Sequence, residues 1–128
     1  VEEAPILNSA ENIYQFMHTT IQDLDIEEGW VLMMKQNFRL IEAKRISVGG
    51  LTMAPVDLRL MMKEVLLKNT TVLAFCHNHP SGSTNPSRDD DILTSHIHKA
   101  CELLHIHFAD HVILTDGGYF SYREEGKL

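Results

Sequence analysis

The chain has 128 residues, 44% of them apolar and 23% charged, with a formal net charge of −7. That length can bury a sizeable core without disulfides, so one domain over residues 1–128 is expected. No apolar run reaches the roughly 18 residues of a membrane span, and no basic segment leads into an apolar one as in a secretory signal. The acidic balance, with eleven scattered basic residues, opposes non-specific nucleic-acid binding, and nothing argues for a specific kind.

Residues 1–8 read as an irregular lead-in, beginning with Val1 rather than Met, as a fragment or a processed form would. Ser9 can cap a helix in which Ile13, Phe16, Met17 and Ile21 recur at helical spacing. Two strands are expected over Trp30–Lys35 and Arg39–Val48, turning at Gln36-Asn37 and ending at Gly49-Gly50. Pro55 introduces a helix over Asp57–Lys68 with Leu58, Met61, Met62, Val65 and Leu66 on one stripe. The short apolar run Thr71–Phe75 reads as a strand buried on both faces, and it opens into a polar loop over residues 77–86. A long helix from Ser87 to about Leu104 carries Leu93, Ile97, Ala100 and Leu104 at three- and four-residue intervals. Strands His111–Thr115 and Tyr119–Arg123 follow, joined at Asp116-Gly117-Gly118. Helices alternating with strands predict an α/β fold, a mixed sheet with helices packed on it. Cys76 and Cys101 make no disulfide framework, so a reducing cytoplasm is the simplest setting, and Cys76, inside an apolar run, reads as a buried inert thiol.

The chemistry concentrates in His77-Asn78-His79-Pro80-Ser81-Gly82, followed by Ser87 and Asp90. In extended backbone His77 and His79 point to one side and can reach one ion. His96 and His98 lie in a predicted helix, where residues two apart diverge, and His105 and His107 have no carboxylate at a suitable spacing, so neither pair reads as joint ligands. Ser87 and Asp90 also fit a capping box, and Asp89, Asp90 and Asp91 suit the first turn of a helix without any metal. Both readings hold together if the helix starts at Ser87 and aims Asp90 back at the loop. Two neutral imidazoles and one carboxylate make three zinc ligands, which leaves a fourth tetrahedral position for water, the pattern of a catalytic rather than a structural site. Such a site needs a general base, and Glu27 and Glu28 are the candidates; residue types do not choose between them, and both also fit a solvated acidic turn with Asp23 and Asp25.

With these residues assembled, the chain resembles the RadC family, a bacterial branch of the JAMM (MPN+) metalloprotease-like domains. Their pattern is an upstream Glu, then His-x-His, seven residues, Ser, two residues and Asp. Here seven residues separate His79 from Ser87 and two separate Ser87 from Asp90. The resemblance covers nearly all of the chain from about residue 9: Ala54-Pro55-Val56 with Arg59, Pro86-Ser87-Arg88, Asp110-His111, and Ser121 with Glu124 and Gly126 all fit the family. Aligning Arg39-Leu40-Ile41 with the family's first strand region places Glu27 at the catalytic glutamate, while a shift of one residue would select Glu28. Gly29, where an apolar residue is usual, and Lys35, where Asp is common, depart from the pattern.

The resemblance implies the MPN fold, a curved mixed sheet flanked by helices and related in architecture to cytidine deaminases, without the deaminase residues. It implies a zinc-dependent metallopeptidase or isopeptidase hydrolysing an amide bond of a peptide or protein substrate. His77, His79 and Asp90 would ligate zinc, Glu27 would act as the base, Ser87 would bind the water or the oxyanion, and Asp110 and His111 would be structural or would support the ligands from behind without touching the ion. Two alternatives stand beside it: a non-catalytic, metal-containing interaction module, and a DNA-repair accessory factor suggested by the family's name. The helix–hairpin–helix module that many members carry is not in this sequence. The identity of the substrate, the cellular metal and the oligomeric state are not legible from these residues.

Overall fold

The computed structural model describes residues 3–49 and 56–128. The uninterrupted apolar run becomes strand β3 (Val72–Asn78), buried along its whole length; the other elements are helices α1 (Ala10–Ile21), α2 (Leu58–Leu67) and α3 (Arg88–Leu103) and strands β1 (Glu28–Met34), β2 (Leu40–Val48), β4 (His107–Thr115) and β5 (Gly118–Ser121). The five strands form one mixed sheet in the order β2-β1-β3-β4-β5. β3 and β4 are parallel, joined through α3 as parallel neighbours require, and the other pairs are antiparallel. This is the α/β arrangement expected.

Strand alternation divides the core. Leu32, Met34, Val72, Ala74, Cys76, Val112 and Leu114 pack with Ile13, Met17 and Ile21 of α1 on one face. Val31, Met33, Leu73 and Phe75 pack with Met61, Met62 and Val65 of α2 and Ile97 and Cys101 of α3 on the other. Ser9 caps α1, accepting from the Asn12 N–H at 3.1 Å, and Asp57 caps α2 through the N–H groups of Arg59 and Leu60.

Several boundaries differ from the sequence reading, each for a local reason. β3 runs on to include His77 and Asn78, which therefore belong to a rigid strand and not to the loop. β4 begins at His107, four residues earlier than expected, because the buried polar pair Asp110-His111 interrupts its apolar run. β5 stops at Ser121, because the Asp110 carboxylate accepts from Ser121 Oγ at 2.5 Å and from the Arg123 N–H at 3.0 Å and turns the chain there. The inward stripe of α3 is Asp90, Thr94, Ile97 and Cys101; Leu104 at its end is 42% exposed, as is Leu66 of α2 at 53%. Spacing alone placed those two leucines inside. Ala54 and Pro55 lie outside the described residues.

Candidate metal centre

The site forms where β3 ends and α3 begins, the end of a parallel strand where α/β sheets open a crevice. His77 faces the α2–α3 side of the sheet, like Phe75 two residues earlier, and His79 follows it at 4.8 Å between ring centroids. α3 starts at Ser87 with a complete capping box: Ser87 Oγ accepts from the Asp90 N–H at 3.0 Å, and Asp90 Oδ2 accepts from the Ser87 N–H at 2.8 Å. The cap turns the rest of the Asp90 carboxylate toward the imidazoles. Oδ1 lies 3.1 Å from His77 Nε2, Oδ2 lies 3.2 Å from His79 Nε2, and the two Nε2 atoms are 2.9 Å apart.

Pairing between β1 and β3 brings in the fourth residue. Gly29 stands opposite His77, and continuing that antiparallel register by two residues sets Glu27 opposite His79 and Glu28 opposite Asn78. Alternation then sends Glu27 to the face of the histidines and Glu28 to the other face. Glu27 Oε1 lies 3.7 Å from His79 Nε2, and donor atoms of Glu27, His77 and His79 fall within 4.8 Å of one another. Glu28 is engaged elsewhere, accepting from Trp30 Nε1 at 3.1 Å and Arg45 Nη1 at 3.3 Å. The structure thus brings Glu27, His77, His79 and Asp90 together and keeps Glu28 away. Ser87, exposed, shares with Glu27, His79, Asp89 and Asp90 the wall of a cleft of about 440 Å³.

The geometry also explains Gly29. It is buried against β2 and β3, and a Cβ there would meet Phe75 Cζ at 2.9 Å and Ser47 Oγ closer still. A side chain at this position would require Ser47 and the buried Phe75 ring to move.

Two residues not singled out in the sequence shape the site. Asn78 points away from the histidines, and its amide brackets Glu27: Oδ1 accepts from the Glu28 N–H at 2.7 Å and Nδ2 donates to the Ile26 carbonyl at 3.1 Å. Thr94, one turn beyond Asp90, is buried and donates from Oγ1 to the Asp90 carbonyl at 2.8 Å. Their signal was positional, since alternation puts Asn78 on the face opposite its neighbours and helical spacing puts Thr94 below Asp90. His111, fully buried, lies between, with Nε2 2.8 Å from His77 Nδ1 and Nδ1 2.5 Å from Thr94 Oγ1. The remaining pairs, His96 with His98 and His105 with His107, are exposed.

Electrostatics follow the geometry. Burial alone would raise the Asp90 pKa, but the imidazoles of His77 and His79 and the Ser87 N–H outweigh it and hold the carboxyl well below the usual range. Burial likewise works to lower His79, but Asp90, the Ser83 carbonyl and Glu27 prevail and its pKa is raised. Burial drives the His111 pKa far down, helped by the His77 ring beside it, so this ring stays neutral. Burial raises the Asp110 carboxyl against the donors it collects.

The donor set fits a small divalent cation. Two imidazole nitrogens and a carboxylate at mutual spacings of 2.9–3.2 Å come close to the edge of about 3.4 Å for a tetrahedron with zinc–nitrogen bonds of 2.0–2.1 Å. The His79 Nδ1 proton is committed to the Ser83 carbonyl at 2.8 Å, which makes Nε2 the nitrogen that faces Asp90 and would meet a metal ion. A lone pair facing an ionised carboxylate in a buried site calls for a positive charge between them.

Comparison with known proteins places this chain among bacterial relatives. The family described as RadC-like JAB domain matches residues 7–127. A UPF0758 protein of Flavobacterium johnsoniae is 38% identical over 120 residues, 94% of this chain and 52% of that protein. One of Porphyromonas gingivalis is 37% identical over 116 residues, 90% of this chain and 51% of the relative. The UPF0758 protein NTHI1125 of Haemophilus influenzae is 36% identical over 120 residues, covering 94% and 54%. The chain spans about half the length of the curated relatives it matches.

Proposed function

The chain belongs to the RadC-like JAB domain family, and from that premise we infer that it is a zinc-dependent metallopeptidase or isopeptidase, hydrolysing an amide bond in a peptide or protein substrate. The observation that carries this reading is the convergence of His77 Nε2, His79 Nε2 and the Asp90 carboxylate within 3.2 Å of one another, with the Glu27 carboxylate 3.7 Å from His79. His77, His79 and Asp90 would hold the ion, an open three-ligand set. Zinc bound there supplies Lewis acidity and a water nucleophile at neutral pH.

The rest of the chemistry belongs to the chain. Glu27 stands at the rim of the cleft, in position to accept a proton from the attacking water and deliver it to the leaving nitrogen. The Ser87 hydroxyl uses a lone pair to cap α3, which leaves its hydrogen free to donate to the water or to the oxyanion. Asn78 fixes the backbone on both sides of Glu27 and so limits where that carboxylate can go.

The test pairs metal content with turnover. Element analysis after zinc loading is expected to give one zinc per chain in wild type and in Glu27→Gln, and none in His77→Ala. On a panel of peptide and isopeptide substrates Glu27→Gln is expected to lose turnover by 10²-fold or more, in the range of general-base contributions. Equal, negligible zinc in wild type and His77→Ala would remove the metal from the account; unchanged turnover in Glu27→Gln would remove Glu27 as the base.

A further inference from the structure

Behind the ligand cluster lies a buried hydrogen-bonded chain that ends where it began. His77 Nδ1 meets His111 Nε2 at 2.8 Å, His111 Nδ1 meets Thr94 Oγ1 at 2.5 Å, and Thr94 Oγ1 meets the carbonyl of Asp90 at 2.8 Å. The chain thus connects one candidate ligand to the backbone of another. The three side chains are buried, so water does not compete for these bonds.

Thr94 has a single hydroxyl hydrogen, and the Asp90 carbonyl can only accept. With that hydrogen on the carbonyl, Thr94 Oγ1 must accept from His111 Nδ1–H. In that tautomer His111 presents a bare Nε2, which accepts from His77 Nδ1–H, and His77 is left with its Nε2 lone pair directed at Asp90 and His79. Running the hydrogens the other way leaves the Asp90 carbonyl without its hydroxyl donor. It also puts a proton on His77 Nε2, in the space between His77 and Asp90 that a cation would use.

We propose that His111 and Thr94 are positioning residues that set the tautomer of His77, holding its Nε2 open to a metal ion. The proposal rests on the metal-binding reading given above and adds two residues that would not touch the ion. Ligating imidazoles commonly give their second N–H to an acceptor that fixes the ring, and loss of such a partner weakens metal affinity by about 10–100-fold. Here the acceptor is a neutral imidazole whose own direction is set by a threonine on the helix that carries Asp90.

His111 also packs. It stacks on Tyr122 at 4.7 Å and 12° and meets Phe75 edge-on at 5.0 Å, so a purely structural role must be separated from a positioning one. His111→Phe keeps an aromatic ring in that stack and removes the acceptor. His111→Gln sacrifices the ring and keeps an amide that can accept from His77 and donate to Thr94. Thr94→Val removes only the hydroxyl, and Thr94→Ser restores it.

Zinc affinity measured by chelator competition, with the Co²⁺ absorption spectrum as a check on coordination, decides the matter. The expected result is a 10–100-fold loss of affinity in His111→Phe and Thr94→Val, with His111→Gln and Thr94→Ser within a few-fold of wild type. Zinc affinity in His111→Phe and Thr94→Val equal to wild type, or lost in His111→Gln but kept in His111→Phe, would overturn the proposal while leaving the metal site standing. Failure of wild type itself to bind zinc would bring down the metal reading and this inference with it. Thermal melts of the metal-free variants accompany the titrations; should His111→Phe fail to fold, the comparison of Thr94→Val with Thr94→Ser carries the test.

Discussion

Asn78→Ala separates the support of Glu27 from the binding of metal. The Asn78 side chain is buried, and its amide makes two bonds, from the Glu28 N–H at 2.7 Å and to the Ile26 carbonyl at 3.1 Å. Truncation leaves both backbone groups without these partners. A buried group left unpaired costs about 1–3 kcal/mol. The Ile26 residue is 56% exposed, so its carbonyl can recover a water, and most of the cost falls on the Glu28 N–H. The expected loss is therefore about 2 kcal/mol, equivalent to a drop in Tm of roughly 5–10 °C for a chain of this size. Because Asn78 faces away from His77 and His79, zinc affinity should stay within a few-fold of wild type while turnover falls through a misplaced Glu27. Urea unfolding and zinc titration on the same preparation check this. Zinc affinity falling as far as turnover would refute the reasoning, since Asn78 would then be holding the histidines and not the glutamate.

Gly29→Ala should destabilise the chain by about 1–3 kcal/mol, as overpacking does, because the new Cβ meets Phe75 Cζ at 2.9 Å; a denaturation midpoint equal to wild type would contradict it. Burial pushes the Cys101 thiol up to about 12 and Cys76 higher still, so at pH 8 the thiolate fraction of Cys101 is roughly 10⁻⁴ against about a quarter for a free cysteine. An aromatic disulfide reagent should then release no rapid colour from the native chain and two equivalents after denaturation. In the metal-free protein His79 has a raised pKa and Asp90 a lowered one. The His79 contribution is full below its unfolded value of about 6.5 and is lost as pH rises through the folded value; the Asp90 contribution is present above about 3.9 and is lost as pH falls through its folded value. His111, driven far down by burial, adds stability as pH rises through its unfolded value of about 6.5. The decline in metal-free Tm from His79 should therefore show above about pH 7, and added zinc, which competes with the proton on His79, should oppose that decline. A metal-free Tm that rises over this range would contradict the assignment.

The order of elements was legible because most of the chain obeys its periodicities. Ile13, Met17 and Ile21 mark α1 at helical spacing, and the run Val72–Phe75 marks the central strand. The errors cluster where polar side chains are buried. Asp110 and His111 hid the first half of β4, and Asp90 and Thr94, buried on α3, left the apparent apolar stripe to run on to the exposed Leu104. His77 was read as loop because its imidazole looks like a solvent-facing group, whereas it is the buried end of β3.

The candidate site was legible in its spacing but not in its support. The interval from His79 through Ser87 to Asp90 named the cluster, and one geometry holds both the Ser87–Asp90 capping box and the Asp90 carboxylate beside the imidazoles. The choice of Glu27 over Glu28 could be anticipated only from the family alignment, because it depends on strand register, a pairing across 50 residues that composition does not encode. Thr94 and Asn78 escaped for the same reason: each acts through a backbone group of a residue whose position only the folded chain defines.

The most direct measurement is zinc X-ray absorption on the chain loaded with one equivalent of the metal. The expected spectrum contains two imidazoles with oxygen donors completing a four-coordinate shell at about 2.0–2.1 Å. A sulfur contribution near 2.3 Å, or a shell without imidazole scattering, would show that the ion sits elsewhere and that His77, His79 and Asp90 do not form its cradle.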